Sequence, residues 1–182
     1  HGEFFASNIL LDTKSARVCP VDWELAAVGP GLIDLAAMSA GNWTHDEKDA
    51  MTAAYFAAMP GAGLTPPSLE VFFEDVEYAR LPQAVQWLGW SPGWTPPPEH
   101  AQNWLREALD AARRLGDVLI VTVTADEFVN KGPGRPVFDE HLRAEMLAAL
   151  EYVDWVAINY SLDAINAIEA IRPNIYIKGQ DY

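Results

Sequence analysis

The sequence contains little cysteine and few basic side chains. Its 182 residues include one cysteine, Cys19, so an intramolecular disulfide cannot form and the chain suits a reducing cytoplasm. Only 12 Lys and Arg oppose 26 Asp and Glu, which gives a formal net charge of −14. A surface this acidic repels nucleic acids and anionic membranes, so we expect neither as a partner.

The sequence also lacks a long apolar run and a signal peptide. No apolar stretch reaches the length of a membrane span, and the first residues lack the pattern of a secretory signal. The first residue is His rather than Met, so we expect a piece of a longer reading frame. Half of the residues are hydrophobic, which is enough for a packed core. These features predict a soluble cytoplasmic protein of one domain or two small ones.

The first of two regions is predicted to be helical after a short β-hairpin. Ile9–Asp12 and Arg17–Asp22 have the composition of two strands joined by a polar turn. Thr44 and Glu47 have the spacing of a capping box, which predicts that a helix begins there and runs through Met59. Other helices are predicted at Asp34–Met38, Ser68–Leu88 and Glu99–Leu115, the last with a left-handed C-cap at Gly116.

The second region alternates strands with helices. Val118–Val123 is a continuous apolar and β-branched run, which predicts a strand buried on both faces. Two more strands are predicted at Val153–Ile158 and Asn174–Ile177. Helices are predicted at Glu140–Leu150 and from a cap at Ser161 to Ile171. This order predicts a three-stranded parallel sheet with right-handed crossovers.

The chain opens with carboxylates and an amide in an order that suits phosphoryl transfer. His1-Gly2-Glu3 precedes Asn8, and the second predicted strand ends in Val21-Asp22-Trp23-Glu24. Phosphoryl transfer needs a carboxylate to orient the attacking hydroxyl, and amide and carboxylate oxygens to hold Mg²⁺ on the phosphates. Together with Gly29-Pro30 and Asp34-Leu35-Ala36, these motifs resemble the C-terminal lobe of aminoglycoside phosphotransferase-like kinases over residues 1–116.

This resemblance implies a role for each residue of the motif. Glu3 would be the catalytic base, Asn8 a metal ligand, and Asp22 the carboxylate that bridges Mg²⁺ to ATP. Asp34 would be a structural residue that hydrogen-bonds back to the catalytic loop. The family commonly has Asp where this chain has Glu3, and the extra methylene moves the carboxylate by about an ångström. From the residues alone, Glu3 could equally be a solvated loop carboxylate and Asp22 a turn residue.

Other features of the first region leave alternatives open. Nothing in the chain corresponds to the phosphate-covering loop and Lys of a kinase's first lobe, so we expect the chain alone to bind MgATP weakly or not at all. Trp87, Trp90 and Trp94 surround a Pro-rich segment, Trp90–Pro98, that is predicted to be irregular. Their rings could wall an acceptor pocket, but helix packing and loop anchoring are the favoured interpretation.

Residues 117–182 resemble a second family, the cytidylyltransferase-like enzymes, and most closely the heptose-phosphate adenylyltransferase type. The motifs that carry this resemblance are Asp117–Val121, Val129–Phe138, Leu142–Glu145 and Lys178–Tyr182. The resemblance implies that Lys131 and Arg135, on a Gly-rich loop, and Arg143, at the start of a helix, contact the phosphates of ATP or CTP. A solvated turn and a surface helix position are the alternatives from the residues alone.

The second region departs from this family in two respects. The His-x-Gly-His motif of the family is replaced by Gln102–Leu105, and the strand that precedes it is absent. We therefore expect no nucleotidyl transfer. The absent strand would leave an exposed sheet edge, which predicts a homo-oligomer or aggregation. Ala111–Gly116 fits both the last helix of the first family and the first helix of the second, so two genes could have joined there.

The sequence thus predicts an α+β region followed by an α/β region. Residues 1–116 are interpreted as a helical kinase-like C-lobe with a β-hairpin, and residues 117–182 as a truncated Rossmann-like parallel sheet unit. The leading hypothesis is a fragmentary phosphotransferase that moves a phosphoryl group from MgATP to a small hydroxylated substrate. The alternatives are a sugar-phosphate nucleotidyltransferase and a non-catalytic, nucleotide-binding remnant.

Overall fold

The described chain forms two compact units that mix helices with small sheets. A computed structural model describes residues 1–90, 101–130 and 132–178. The first unit covers His1–Leu115 and the second Gly116–Lys178. Among the described helices, none combines the length and the apolar composition that a membrane span requires.

The first unit begins with the predicted hairpin. Strands β1 (Ile9–Asp12) and β2 (Arg17–Pro20) pair antiparallel, with Ile9 opposite Pro20 and Asp12 opposite Arg17. The Asp12 carboxylate accepts hydrogen bonds from the Lys14 backbone (2.9 Å) and the Ser15 hydroxyl (2.6 Å), which close the polar turn. The second strand ends two residues before its predicted end, and a single 3₁₀ turn at Ala6–Asn8 precedes the first strand.

Four helices make up the rest of the first unit, and the third packs against both the first and the fourth. Their bounds are α1 Leu32–Met38, α2 His45–Ala58, α3 Leu69–Trp90 and α4 Trp104–Leu115. The predicted capping box is confirmed: the Thr44 hydroxyl accepts from the Glu47 backbone (3.3 Å), and the Glu47 carboxylate accepts from the Thr44 backbone (2.8 Å).

The core of the first unit consists of two apolar clusters. One lies beneath the start of the chain, where Phe5 packs with residues of α1, α3 and α4 that include Leu81 and Trp104. The other joins α1 to α3 and contains Leu35, Phe72 and Val76. These clusters fix the position of the chain's first residues relative to the helices.

A buried ionic network crosses the same helices. Arg80 on α3 is 8% exposed; its guanidinium ion-pairs with Glu77 and donates to the Ser39 hydroxyl at 3.0 and 3.2 Å. Arg114 on α4 donates to Asp49 (3.1 Å) and Glu77 (3.3 Å). Burial works to lower the pKa of Arg114, but the Asp49 hydrogen bond and the surrounding carboxylates outweigh it, so this pKa is raised. The network therefore links α2, α3 and α4 through pairs of opposite charge.

Two predictions for the end of the first unit were wrong. The last helix begins at Trp104 rather than near Glu99, and Gly116 does not have the positive φ of a left-handed cap. The basic residues Arg113 and Arg114 lie in the last turn of this helix. Positive charges there interact favourably with the negative, carbonyl end of the helix dipole. The irregular segment predicted at Trp90–Pro98 lies, from residue 91 on, outside the described residues.

The second unit is built around one pair of parallel strands. Strands β3 (Ile120–Thr124) and β4 (Trp155–Asn159) pair with Ile120 opposite Trp155 and Thr124 opposite Asn159. Helix α5 (Glu140–Ala148) connects them and packs on both, and helix α6 (Ile165–Ile171) follows. A 3₁₀ turn at Asp126–Phe128 follows the first of the two strands.

Three predictions for the second unit were wrong. Asn174–Ile177 is not a strand. In the doubly wound strand order 3-2-1-4, the fourth strand pairs with the first, and the described residues contain no strand that corresponds to the first. The strand predicted to be buried on both faces has one buried residue, Val123, because the unit has too few layers to cover it. The last helix begins at Ile165 after Ala164, with no side-chain cap from Ser161.

Candidate functional site

The start of the chain is anchored to helix α1 by one carboxylate. Asp34, in the first turn of α1, accepts from the backbone nitrogens of His1 and Gly2, at 2.9 Å each. Gly2 has φ +91, and a Cβ there would lie 2.5 Å from the Leu25 carbonyl oxygen, so a larger residue is excluded. The predicted structural role of Asp34 is confirmed by these two bonds.

The His1 ring connects the start of the chain to the segment after strand β2. Its Nε2 lies 2.9 Å from the Val21 carbonyl oxygen; because that oxygen can only accept, Nε2 carries the proton. The ring also contacts Trp23 at a centroid distance of 4.6 Å and Phe4 at 5.3 Å. The sequence motif gave no indication of this second role for His1.

Asn8 contributes a second connection between the same two segments. Its backbone oxygen accepts from the Val21 nitrogen at 2.9 Å, which extends the pairing of β1 with β2 by one bond. Its side-chain Nδ2 donates to the Glu3 carbonyl oxygen at 3.0 Å. That bond orients the amide and leaves Oδ1 available as an acceptor. Glu3 itself is half-buried.

Asp22 has an unusual backbone conformation. Its φ of 64 is in the left-handed region, which residues other than Gly rarely adopt. Such conformations cost about 1–3 kcal/mol and concentrate at functional sites, where the surrounding structure maintains them. Here the residue before it is fixed twice, by Asn8 and by the His1 ring. The exposed carboxylate of Asp22 therefore leaves the hairpin in a defined direction.

These contacts join residues 1–8 to residues 21–22 and to helix α1 in one hydrogen-bonded frame. Glu3 and Asn8 belong to one segment of the frame, and Asp22 belongs to the other. Within residues 1–90, 101–130 and 132–178, no group of three His, Cys, Asp or Glu side chains is arranged to hold a metal ion. A metal at this frame would need oxygen ligands from a bound substrate as well.

In the second unit, Arg143 is engaged within the protein. Its guanidinium donates to the carbonyl oxygens of Phe138 (3.1 Å) and Thr124 (2.8 Å) and forms an ion pair with Asp126. These contacts join the end of strand β3 to helix α5. Arg143 therefore positions this end of the sheet, which the sequence interpretation of Arg143 as a phosphate contact did not anticipate.

The described residues between 130 and 136 form the Gly-rich loop that the sequence predicts. Gly132 and Gly134 have φ of +94 and +74, so the backbone needs glycine at both positions. Arg135 is exposed. Lys131 lies outside the described residues. The predicted phosphate-binding roles of Lys131, Arg135 and Arg143 stay predictions.

Two family models match the chain. Residues 1–72 match the phosphotransferase enzyme family, and residues 106–182 match the cytidylyltransferase-like family. Both resemblances predicted from the motifs are confirmed. The second match begins inside helix α4, which the structure packs within the first unit. No solved structure matches this chain.

Several curated proteins, each named bifunctional protein HldE, are similar to part of the chain. The protein from Nitrobacter hamburgensis is 47% identical over 78 residues, which are 42% of this chain and 16% of the relative. Those from Methylobacillus flagellatus and Campylobacter fetus are 47% and 43% identical over 76 residues, 41% of this chain and 16% and 17% of the relatives. The similarity thus spans about one sixth of each relative's length. The chain joins a phosphotransferase-like segment to a cytidylyltransferase-like segment.

Proposed function

We propose that the first unit is the catalytic-loop lobe of a small-molecule phosphotransferase that acts with MgATP. The observation that carries this proposal is the hydrogen-bonded frame between the His1–Asn8 segment and Val21, the residue before Asp22. In this proposal Glu3 orients the hydroxyl of the acceptor and accepts its proton. Asp34 and the His1 ring are positioning residues, since both act through the backbone.

The oxygen atoms of the frame fit Mg²⁺ better than a transition metal. Mg²⁺ keeps several waters and binds through one or two protein oxygens together with substrate phosphates, so a pair such as Asn8 Oδ1 and the Asp22 carboxylate suffices. When bound, the ion would neutralise charge on the transferring phosphoryl group. The absence of a three-carboxylate or histidine cluster among the described residues accords with this kind of site.

Matched variants of two exposed aspartates test this proposal. Asp22→Asn should weaken Mg²⁺-dependent ATP binding by roughly tenfold or more, because a charged ligand is lost. Asp12→Asn removes the same charge from the other strand of the hairpin and should leave binding unchanged. Calorimetry of ATP with and without Mg²⁺ measures both. Equal and measurable Mg²⁺-dependent binding in the two variants would refute the role of Asp22.

Glu3 offers a separate test of the proposed base. Glu3→Gln keeps the size of the side chain but cannot accept a proton, so ADP formation in the presence of hydroxylated acceptors should fall by about 10²-fold or more. Glu3→Asp restores the residue common in the resembling family and should retain activity. If Glu3→Gln turns over ATP as fast as the unmodified chain, this carboxylate has no part in the reaction.

The second segment supports a second candidate, nucleotide contact by a partial Rossmann-like domain. The specific observation in its favour is the match of residues 106–182 to the cytidylyltransferase-like family. We infer that Lys131 and Arg135 contact nucleotide phosphates, while Arg143 maintains the strand end behind them. Because Gln102–Leu105 replaces the His-x-Gly-His motif, binding of ATP or CTP without pyrophosphate release is the expected result.

Pyrophosphate release with a sugar phosphate, lost in Arg143→Ala, would instead favour an active nucleotidyltransferase. If the chain neither binds a nucleotide nor releases pyrophosphate, the result would favour a non-catalytic remnant.

A further inference from the structure

A cavity of about 290 Å³ lies in the first unit beside the catalytic-loop motif. One wall is the segment that runs from Phe5 into the 3₁₀ turn, and the others are the end of helix α1, the loop after it and the residue two before helix α4. The polar and aromatic lining residues are Phe5, Ser7, Asn42, Trp43 and Gln102. The volume is close to the lower end of the range for small-molecule sites, which suits a single ring.

Gln102 has an unsatisfied acceptor at this cavity. Its Oε1 is buried without a hydrogen-bond partner, although buried polar atoms are nearly always paired. Its Nε2 lies 2.7 Å from the point that a Cβ on Gly41 would occupy, and Gly41 has φ +110. Glycine at position 41 therefore lets the carboxamide approach the loop. A ligand that donates a hydrogen bond would satisfy the unpaired oxygen.

The cavity carries no charge of its own. None of the described residues that line it has an ionisable side chain, although the whole chain has a net charge of −14. A cationic ligand would find no carboxylate there and an anionic ligand no basic group, and each would lose hydration on entry. Trp43 is 41% exposed at the rim, and its backbone nitrogen is held by the Gly41 carbonyl oxygen at 2.8 Å. An indole face in this position suits stacking on a sugar ring.

We propose that this cavity is the acceptor subsite of the first unit and takes an uncharged polyhydroxylated ring, such as an unphosphorylated sugar. A ring hydroxyl donates to Gln102 Oε1, and the face of the ring packs on Trp43. Ser7, which lines the cavity, belongs to the same segment as Glu3 and Asn8. The role of this cavity as an acceptor subsite rests on the proposed phosphotransferase function, but ligand binding itself needs neither ATP nor Mg²⁺.

Three probes that share one scaffold test the ligand class. The full chain is titrated, without nucleotide or Mg²⁺, with glucose, glucosamine and glucose 6-phosphate, and binding is followed by ligand-observed NMR. Glucose should bind, with the cationic and anionic probes each weaker by on the order of tenfold. Equal binding of all three, a preference for a charged probe, or no binding of glucose would overturn the proposal.

A charge introduced at the unsatisfied oxygen tests the location. Gln102→Glu places a carboxylate in the cavity and should reverse the order, so that glucosamine binds at least as tightly as glucose. Gln86→Glu makes the same change at an exposed position on helix α3 and should keep the order of the unmodified chain. Trp43→Ala, at a partly exposed position, should weaken glucose binding and serves if Gln102→Glu does not fold. An unchanged order in folded Gln102→Glu, or unchanged glucose binding in Trp43→Ala, would refute the site.

The binding and transfer assays separate the two proposals. Binding of both glucose and MgATP without phosphoryl transfer would leave the cavity as a ligand site and refute the phosphotransferase function. Transfer to other acceptors without glucose binding would support the function and overturn this subsite.

Discussion

The two units differ most in how much apolar surface each one buries. Among the described residues, fourteen hydrophobic side chains are buried: twelve lie in His1–Leu115, and Val123 and Ala125 are the two in the second unit. Both units expose large side chains, which in the second unit include Trp155 at 67% and Leu162 at 82%. A parallel strand pair needs helices on both faces to make a core. The difference shows that matching a family's sequence does not supply the layers that its fold requires.

The units differ in their charged groups in the same way. The Arg80 and Glu77 side chains are 8% and 7% exposed and satisfy each other in the interior of the first unit. The Arg143–Asp126 pair of the second unit is 25% and 35% exposed. Water screens the second pair more than the first, so removal of a partner should cost less there.

Separate probes for the units make these comparisons measurable. Six of the seven tryptophans of the sequence lie in the first unit, and Trp155 is the seventh. Tryptophan fluorescence in a Trp155→Phe background therefore reports urea unfolding of the first unit alone. Amide hydrogen exchange of peptides within residues 120–159 reports the second unit, and we expect its amides to exchange faster.

The largest effect is expected from the core of the first unit. Phe72 is 2% exposed and packs edge-on against the Phe56 ring at 5.3 Å. Phe72→Ala leaves a cavity among packed side chains and should lower the free energy of unfolding of this unit by about 3–5 kcal/mol. Phe138→Ala, at a residue 48% exposed in the second unit, is the matched control and should leave the fluorescence midpoint unchanged. A similar midpoint for both variants would contradict the contrast in burial.

The buried ionic network should give the next largest effect. Glu77→Gln removes the carboxylate that faces both Arg80 and Arg114, so the buried Arg80 cation loses its counter-charge. The expected loss is about 3 kcal/mol, since one partner of a buried pair remains uncompensated. Glu74→Gln makes the same change at an exposed position one turn earlier on helix α3. If the two variants unfold at the same urea concentration, the network contributes nothing to stability.

A smaller effect is expected from Arg143 in the second unit. Arg143→Ala removes two bonds to carbonyl oxygens and the ion pair with Asp126, so the join between β3 and α5 loosens. Partial exposure limits the expected loss to about 1–2 kcal/mol. Hydrogen exchange should rise in peptides that cover residues 120–148, with no change in the fluorescence of the first unit. Arg135→Ala, on the exposed loop, should leave exchange at the strand end unchanged. Equal exchange in both variants would contradict a stabilising role for Arg143.

The sequence predicted local structure better than tertiary contacts, and the reason is physical. The capping box at Thr44 and the turn of the hairpin depend on residues three or four apart, so their patterns are visible in the chain itself. The burial of Arg80 depends on Ser39 and Thr52, which are 41 and 28 residues away and show no common pattern. Strand assignment at Asn174–Ile177 failed for the same reason, because a strand exists only when a neighbour pairs with it.

In the candidate site, too, the sequence predicted the local motifs but not the contacts between distant segments. The order of Glu3, Asn8 and Asp22 and the anchoring role of Asp34 followed from the motif. The second role of the His1 ring, the left-handed backbone of Asp22 and the cavity at Gln102 depend on how distant segments meet. A positive φ at Asp22 could have been suspected, since Asp tolerates this conformation better than most residues.

The smallest effect is expected from acid titration of the helix α2 cap. The pKa of Glu47 is lowered because its carboxylate accepts from the Thr44 backbone (2.8 Å) and hydroxyl (2.9 Å). A lowered pKa stabilises the folded state above the ordinary Glu value of about 4.3, and this contribution is lost as the pH falls through the lowered value. Glu47→Gln cannot ionise, so the first unit of the variant should be slightly less stable at pH 7, and the difference should shrink as the pH falls below the ordinary Glu value. Asp46→Asn corrects for the change in net charge, because it removes a charge from the same turn but none of the bonds to Thr44. A difference in fluorescence midpoint that stays constant from pH 7 to pH 3 would show that the cap does not require the ionised carboxylate.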